Sequence, residues 1–174
     1  MRMKTVNKDE LAAMDGQSDR FALELSDAAV DVLGYACLVA TMSLGLGYHR
    51  VSERRLHGRT VENVQPAPVV TSAGALVDAL KVLDAKKIVV IAPYMRPLTE
   101  LVVNYIVNEG HTVIDYVALE IPDKLDVARH DCSRLPAIAR SLKYSDADAG
   151  MVSATYQLRS LPVGAMLEVT RGQH

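Results

Sequence analysis

Tryptophan is absent from this 174-residue chain and phenylalanine occurs once. With 49% hydrophobic residues, the interior must be built from Val, Leu, Ile, Ala and Met, the usual material of aliphatic α/β layers. Long apolar runs are also missing. None reaches the ~18 residues of a membrane span, and the N-terminal MRMKTVNKDEL is charged where a signal peptide needs an apolar stretch. The expected protein is soluble and cytoplasmic, with no membrane partner. Only two cysteines occur, Cys37 and Cys132, neither in a CxxC pair, which argues against a disulfide framework. The histidines, His49, His57, His111, His130 and His174, are scattered, so no metal site is expected. Nor is there an excess of basic residues. A net charge of −2 supplies no stripe to neutralise phosphates, and nucleic acid is disfavoured as a partner.

What is present alternates between two periods. Asn7 and Glu10 have capping-box spacing, and Leu11, Met14, Phe21, Leu25 and Ala28 recur at helical intervals. Val30 to Cys37 is short and aliphatic on both faces, as in a buried parallel strand, with the cysteine at its carboxyl end. Gly45 to Pro68 mixes charges, glycines and prolines and reads as a loop or short helix. Ser72 is placed to cap a helix burying Leu76, Val77, Leu80 and Leu83, followed by a strand from Ile88 to Ala92. Pro97 suits the first turn of a helix with a Leu98, Leu101, Val102, Tyr105 and Ile106 stripe ending at Gly110, and a strand from Thr112 to Leu119 follows. Ser133 is placed to cap a last short helix with Leu135, Ile138, Ala139 and Leu142 inward, before SDADAG and the apolar MVSA.

This alternation predicts an α/β fold with a doubly wound, mostly parallel sheet and right-handed crossovers. The length suits one compact domain. Ligands in such sheets sit beyond the carboxyl ends of the strands, where Cys37 and the pair Pro93 and Tyr94 fall.

Cys37 has two readings. A strand that turns into a helix N-terminus lowers a thiol's pKa through its oriented backbone N–H groups. The same amides, from Leu38 and Val39, suit a carboxylate or a developing oxyanion. A small buried apolar residue is the other reading, and residue type alone leaves both open. Tyr94 is likewise either a hydrogen-bond donor facing the crevice or a packed ring with its hydroxyl outward. Thr71 and Ser72 are more simply caps than ligands. Cys132, in a polar loop, receives no role.

Several long strings agree with one family in order and spacing: RMKTVNKDELAAM, YACLVATM followed by GLGYHR, SAGALVDALKVLDAKKIVVIAPYMRPL and DYVALEIPD. From about Arg2 to Ala149 the sequence resembles maleate cis-trans isomerases of the aspartate/glutamate racemase superfamily, which also holds arylmalonate decarboxylases. The resemblance implies two pseudo-symmetric Rossmann-like halves, incomplete in this sequence, with the active site between them and no metal or organic cofactor. Residues 1–174 then form one such unit, with 30–95 holding the nucleophile half and 96–150 the core of the other. Cys37 matches the nucleophile, Leu38 and Val39 the carboxylate-binding amides, and Tyr94 the tyrosine that contacts substrate. A homo-oligomer acting on a small dicarboxylate is implied, by thiolate addition to maleate, bond rotation and elimination of fumarate.

The match departs from the family at three places. The Pro-Ser-x-Asn turn, whose asparagine reaches substrate, is not among these residues. Lys124 stands where the family has a second asparagine. The second-half cysteine has no counterpart: Thr155 falls near it, or else VSAT and YQLRSL flank an omitted segment. Omission predicts a broken backbone near Gly150/Met151 or Thr155/Tyr156. A racemase needs acids and bases on both faces of a carbon, and decarboxylases of this type protonate from the missing cysteine. A non-catalytic dicarboxylate-binding relative, or an oligomer subunit, is the remaining alternative.

Overall fold

The computed structural model of the chain describes residues 5–63 and 65–153. The chain divides into two compact units, Met1–Leu83 and Asp84–His174. Every strand pairing among the described residues is parallel, as the alternating pattern predicts.

The first unit opens with α1 (Lys8–Asp15) and α2 (Ser18–Ser26). Asn7 Oδ1 accepts the Glu10 N–H at 2.9 Å, half of the expected capping box, while the Glu10 carboxylate turns to Thr5. Leu11 is fully buried, but Phe21 and Leu25 point outward, and α2 instead buries Ser18, Ala22 and Ser26. The polar inward face defeats a reading based on hydropathy. Serine hydroxyls there are satisfied by backbone carbonyls one turn back, Ser18 on Asp15 and Ser26 on Leu23.

Strand β1 is shorter than expected, Leu33–Tyr35, and only Leu33 is fully buried. It leads through Cys37 into α3 (Leu38–Ser43), then α4 (Tyr48–Glu62) and β2 (Val69–Thr71), which pairs with β1 from Leu33↔Val69 to Tyr35↔Thr71. The full-length α4 corrects the reading of this segment as a loop or short helix. Its buried positions are His49, Ser52, Leu56 and Thr60, a helical stripe with one aliphatic member that no apolar periodicity reveals. Thr60 Oγ1 anchors the stripe by accepting the Ala67 N–H at 2.9 Å. Ala22, Leu33, Leu56, Ala67 and Val69 form the apolar cluster beneath it.

Helix α5 (Ser72–Val82) is capped by Thr71, whose Oγ1 accepts the Gly74 N–H at 2.9 Å, so the cap lies one residue before the expected Ser72. Val77 and Leu80 face inward, but Leu83 lies past the helix and is 69% exposed. Two helical glycines carry opposite expectations. A Cβ on Gly58 meets nothing within 4 Å, whereas one on Gly74 would clash with Glu53 Oε1, the atom that accepts from Thr71 N and Oγ1. Gly58→Ala is expected to stabilise by about 0.5–1 kcal/mol through reduced chain entropy. Gly74→Ala is expected to destabilise by about 1–2 kcal/mol, because Glu53 must leave Thr71. Chemical denaturation midpoints of the two variants, moving in opposite directions, check this.

The second unit contains β3 (Lys87–Ala92), α6 (Arg96–Asn108), β4 (Thr112–Ala118), α7 (Lys124–Arg129), α8 (Leu135–Ser141) and β5 (Ala149–Val152), with sheet order β4-β3-β5. Strand β3 is buried from Ile88 to Ala92, and of the predicted α6 stripe Leu98, Val102, Tyr105 and Ile106 are buried while Leu101 is only partly so. The chain leaves α6 through Gly110 at φ 95°, a left-handed conformation glycine adopts without steric cost. Asp131 rather than Ser133 caps the 3-10 turn Cys132–Arg134 ahead of α8, accepting the Ser133 N–H at 2.9 Å. Ile91, Val127, Leu135 and Ala139 make the core between α7, α8 and the sheet. Strand β5 is continuous through Gly150 and Met151, in register with Val89 and Val90. Thr155/Tyr156 lies outside the described residues.

Candidate active site

In the first unit the carboxyl ends of β1 and β2 carry Cys37 and Thr71. Cys37 is the N-cap of α3, at φ −144° and ψ 88°. Its carbonyl accepts from Thr41 N at 3.3 Å and Thr41 Oγ1 at 3.1 Å, which holds the first turn closed. Leu38 and Val39 are buried as side chains, and as first-turn residues their N–H groups have no intrahelical acceptor. Cys37 is partly exposed.

The ionisation of Cys37 departs from the sequence reading. Burial raises the thiol's pKa, the Ala40 backbone N–H lowers it, and the Asp15 charge raises it again, with a net upward direction. A helix N-terminus alone would lower it. Desolvation wins because the thiolate gives up more water than the helix amides replace. The rate of Cys37 alkylation by iodoacetamide, in a Cys132→Ser background, is therefore expected to keep rising with pH past the range where an ordinary cysteine levels off. A plateau below that range contradicts the burial argument.

Thr71 is buried, donates its hydroxyl to Glu53 at 2.9 Å and accepts from Gly74. Both capacities are spent, which makes it a cap, as its position suggested. Sequence reasoning passed over the group around Asp15. This carboxylate accepts from Tyr35 Oη at 3.0 Å, Tyr48 Oη at 2.8 Å and Arg55 Nη2 at 2.9 Å. Burial together with the Asp15 charge and hydrogen bonds holds both tyrosine hydroxyls firmly protonated. Asp15 sits in a polar stretch of a short helix, and its partners come from distant segments, so no local signal marks it.

In the second unit the sheet order places β4 and β5 on opposite sides of β3, and in open parallel sheets ligands bind beyond the strand ends where such a switch of direction occurs. Tyr94 lies there, two residues past β3, and is 5% exposed. Its hydroxyl is 2.8 Å from Ser153 Oγ, and its carbonyl accepts from Thr99 Oγ1 at 3.2 Å. The hydroxyl is turned inward, unlike the packed-ring alternative with an outward hydroxyl. Ser153 follows β5, is fully buried, and donates its N–H to Ile91 O at 2.9 Å. A serine closing an apolar strand was the available signal for it.

Lys124 is the first residue of α7, beside the cap Asp123, which accepts from Leu125 N and Asp126 N. Cys132 Sγ lies 3.7 Å from His130 O, against the α8 core, and gains no chemical role. Thr155 lies outside the described residues. Among the described residues no three His, Cys, Asp or Glu side chains gather as a metal-holding group, and no helix is long and apolar enough to cross a membrane.

Comparisons with known proteins show the family to which the chain belongs. The arylmalonate decarboxylase family model covers residues 3–173. A maleate isomerase of Pseudomonas putida is 60% identical over 173 residues, 99% of this chain and 69% of that one. The chain belongs to the maleate isomerase and arylmalonate decarboxylase family. Two solved maleate isomerases have the same fold as this family member. One, from Pseudomonas putida, is a cysteine-to-alanine variant with maleate: TM-score 0.92, 55% identity, 98% of this chain and 68% of that chain. The other is a Nocardia farcinica maleate cis-trans isomerase, a cysteine-to-serine variant with a covalently bound succinylcysteine intermediate: TM-score 0.92, 43% identity, 99% of this chain and 70% of that chain. The chain spans about two thirds of the length of these relatives.

Proposed function

We infer that this chain converts maleate, or a closely similar small unsaturated dicarboxylate, to its trans isomer through a covalent adduct on Cys37. The observation that carries the reading is the setting of Cys37, a partly exposed thiol capping α3 beside first-turn amides that the helix leaves without acceptors. The Nocardia relative's succinylcysteine adduct supports the same chemistry here.

In this reading the Cys37 thiol first passes its proton to solvent water or hydroxide, leaving the thiolate that enters the cycle. Sγ then bonds to one alkene carbon, and the π pair moves onto the neighbouring carbon and into its carboxylate. The former double bond is now single and rotates. The pair returns, the C–S bond breaks, and the trans diacid leaves with the thiolate restored. Electrons balance without an oxidant, reductant or cofactor. Covalent attachment replaces a forbidden rotation by feasible steps. Charge on the adduct calls for fixed donors, the role assigned to the N–H groups of Leu38 and Val39 and to the Tyr94 hydroxyl. A homo-oligomeric cytoplasmic enzyme completes the reading.

Incubating the chain with maleate and following fumarate by proton NMR tests it. Fumarate from the parent chain and none from Cys37→Ala is the expected result. Absence of turnover by the parent defeats the assigned activity.

A further inference from the structure

Asp15 takes no part in the chemistry above, yet it is a carboxylate only 4% exposed. Burying a charge is costly unless it is paired and hydrogen-bonded, and Asp15 meets that demand in a particular way. Tyr35 Oη donates to Oδ1 at 3.0 Å, and Tyr48 Oη donates to Oδ2 at 2.8 Å. Arg55 Nη2 joins Oδ2 at 2.9 Å, while Arg55 Nη1 reaches Asp19 at 2.6 Å. An ion pair with Arg55 would by itself tie α1 to α4. The two tyrosines add something different. Tyr35 is the last residue of β1 and Tyr48 the first of α4, so both ends of the segment holding Cys37 and all of α3 converge on one carboxylate.

We propose that Asp15 is a positioning residue for Cys37, clamping both ends of the Tyr35–Tyr48 segment so that the sulfur and the first α3 amides keep a fixed mutual placement. The proposal rests on the reading of Cys37 as nucleophile. A second effect follows from charge. Asp15 adds to burial in raising the thiol's pKa. The titratable groups around this segment are Asp15 on α1, Asp19 on α2, Tyr35 on β1, and Tyr48, His49, Glu53 and Arg55 on α4. Glu53 is engaged by Thr71, and Asp78 and Lys81 of α5 are exposed.

The test uses the full chain in a Cys132→Ser background, with Asp15→Asn and the double variant Tyr35→Phe/Tyr48→Phe, each checked for folding by circular dichroism. Asp15→Asn is expected to lower kcat for maleate by about tenfold or more, with KM within about threefold, since small misplacements at a reacting centre cost rate rather than binding. Its iodoacetamide alkylation profile is expected to move to lower pH, because a negative charge leaves and Arg55 stays. The double variant keeps the charge and loses the clamp, so its kcat falls without that downward move. A purely structural role predicts a lower melting temperature alone. A folded Asp15→Asn chain with unchanged kcat and an unchanged alkylation profile overturns the proposal. Should Asp15→Asn not fold, an unchanged kcat in the double variant overturns it. If the parent chain does not turn over maleate, the functional reading fails separately, and the alkylation profile still decides whether Asp15 governs the thiol.

Discussion

Cys37→Ala is expected to lower maleate isomerisation by at least about 10³-fold while leaving the fold intact. The magnitude follows from what the sulfur supplies: without a nucleophile, rotation about the double bond has no lower-energy route, and fixed donors alone recover little. Stability should change little, because Cys37 is partly exposed and caps α3 with its backbone rather than its side chain. Mass spectrometry of the parent chain quenched during turnover should show an increase equal to one maleic acid on the peptide containing Cys37, and none on the peptide containing Cys132. An adduct on Cys132 would contradict the assignment, and so would a variant lacking Cys37 that still makes fumarate.

Tyr94→Phe is the second large effect, an expected loss of about 10²-fold in kcat. A single donor aimed at developing charge in a dry site is worth about 3–4 kcal/mol. The hydroxyl is fully inside, 2.8 Å from Ser153 Oγ, so little of that contribution is lost to competing water. The ring is retained in the variant, which separates donation from packing. Ser153, pinned by its own N–H to Ile91 O, holds the phenol oxygen in place. Kinetics showing an undiminished kcat for Tyr94→Phe would remove the tyrosine from the chemistry and leave it as packing.

Legibility in the sequence followed the physics of each element. Strand β3 and helix α6 were plain because their burial is aliphatic and periodic, Ile88 to Ala92 in the strand and Leu98, Val102 and Ile106 in the helix. Helix α4 was not, since its inward stripe is mostly His49, Ser52 and Thr60, polar residues that carry no apolar periodicity. Outward Phe21 and Leu25 show the converse, apolar residues that misdirect a periodicity argument. The positions of Cys37 and Tyr94 just past strand ends were legible because the strands before them are visible from composition.

By itself, then, the amino-acid order determined the alternating α/β class, the parallel pairing, the thiol at a strand end and the family to which the chain belongs. Those depend on local periodicity and on contiguous strings. Tertiary structure alone decided that the Cys37 thiol is raised rather than lowered, that Asp15 gathers Tyr35, Tyr48 and Arg55, and that Ser153 meets Tyr94. The reason is common to all three. Desolvation and hydrogen bonding between residues far apart in the chain are set by which segments pack together, and no short window of sequence carries that information.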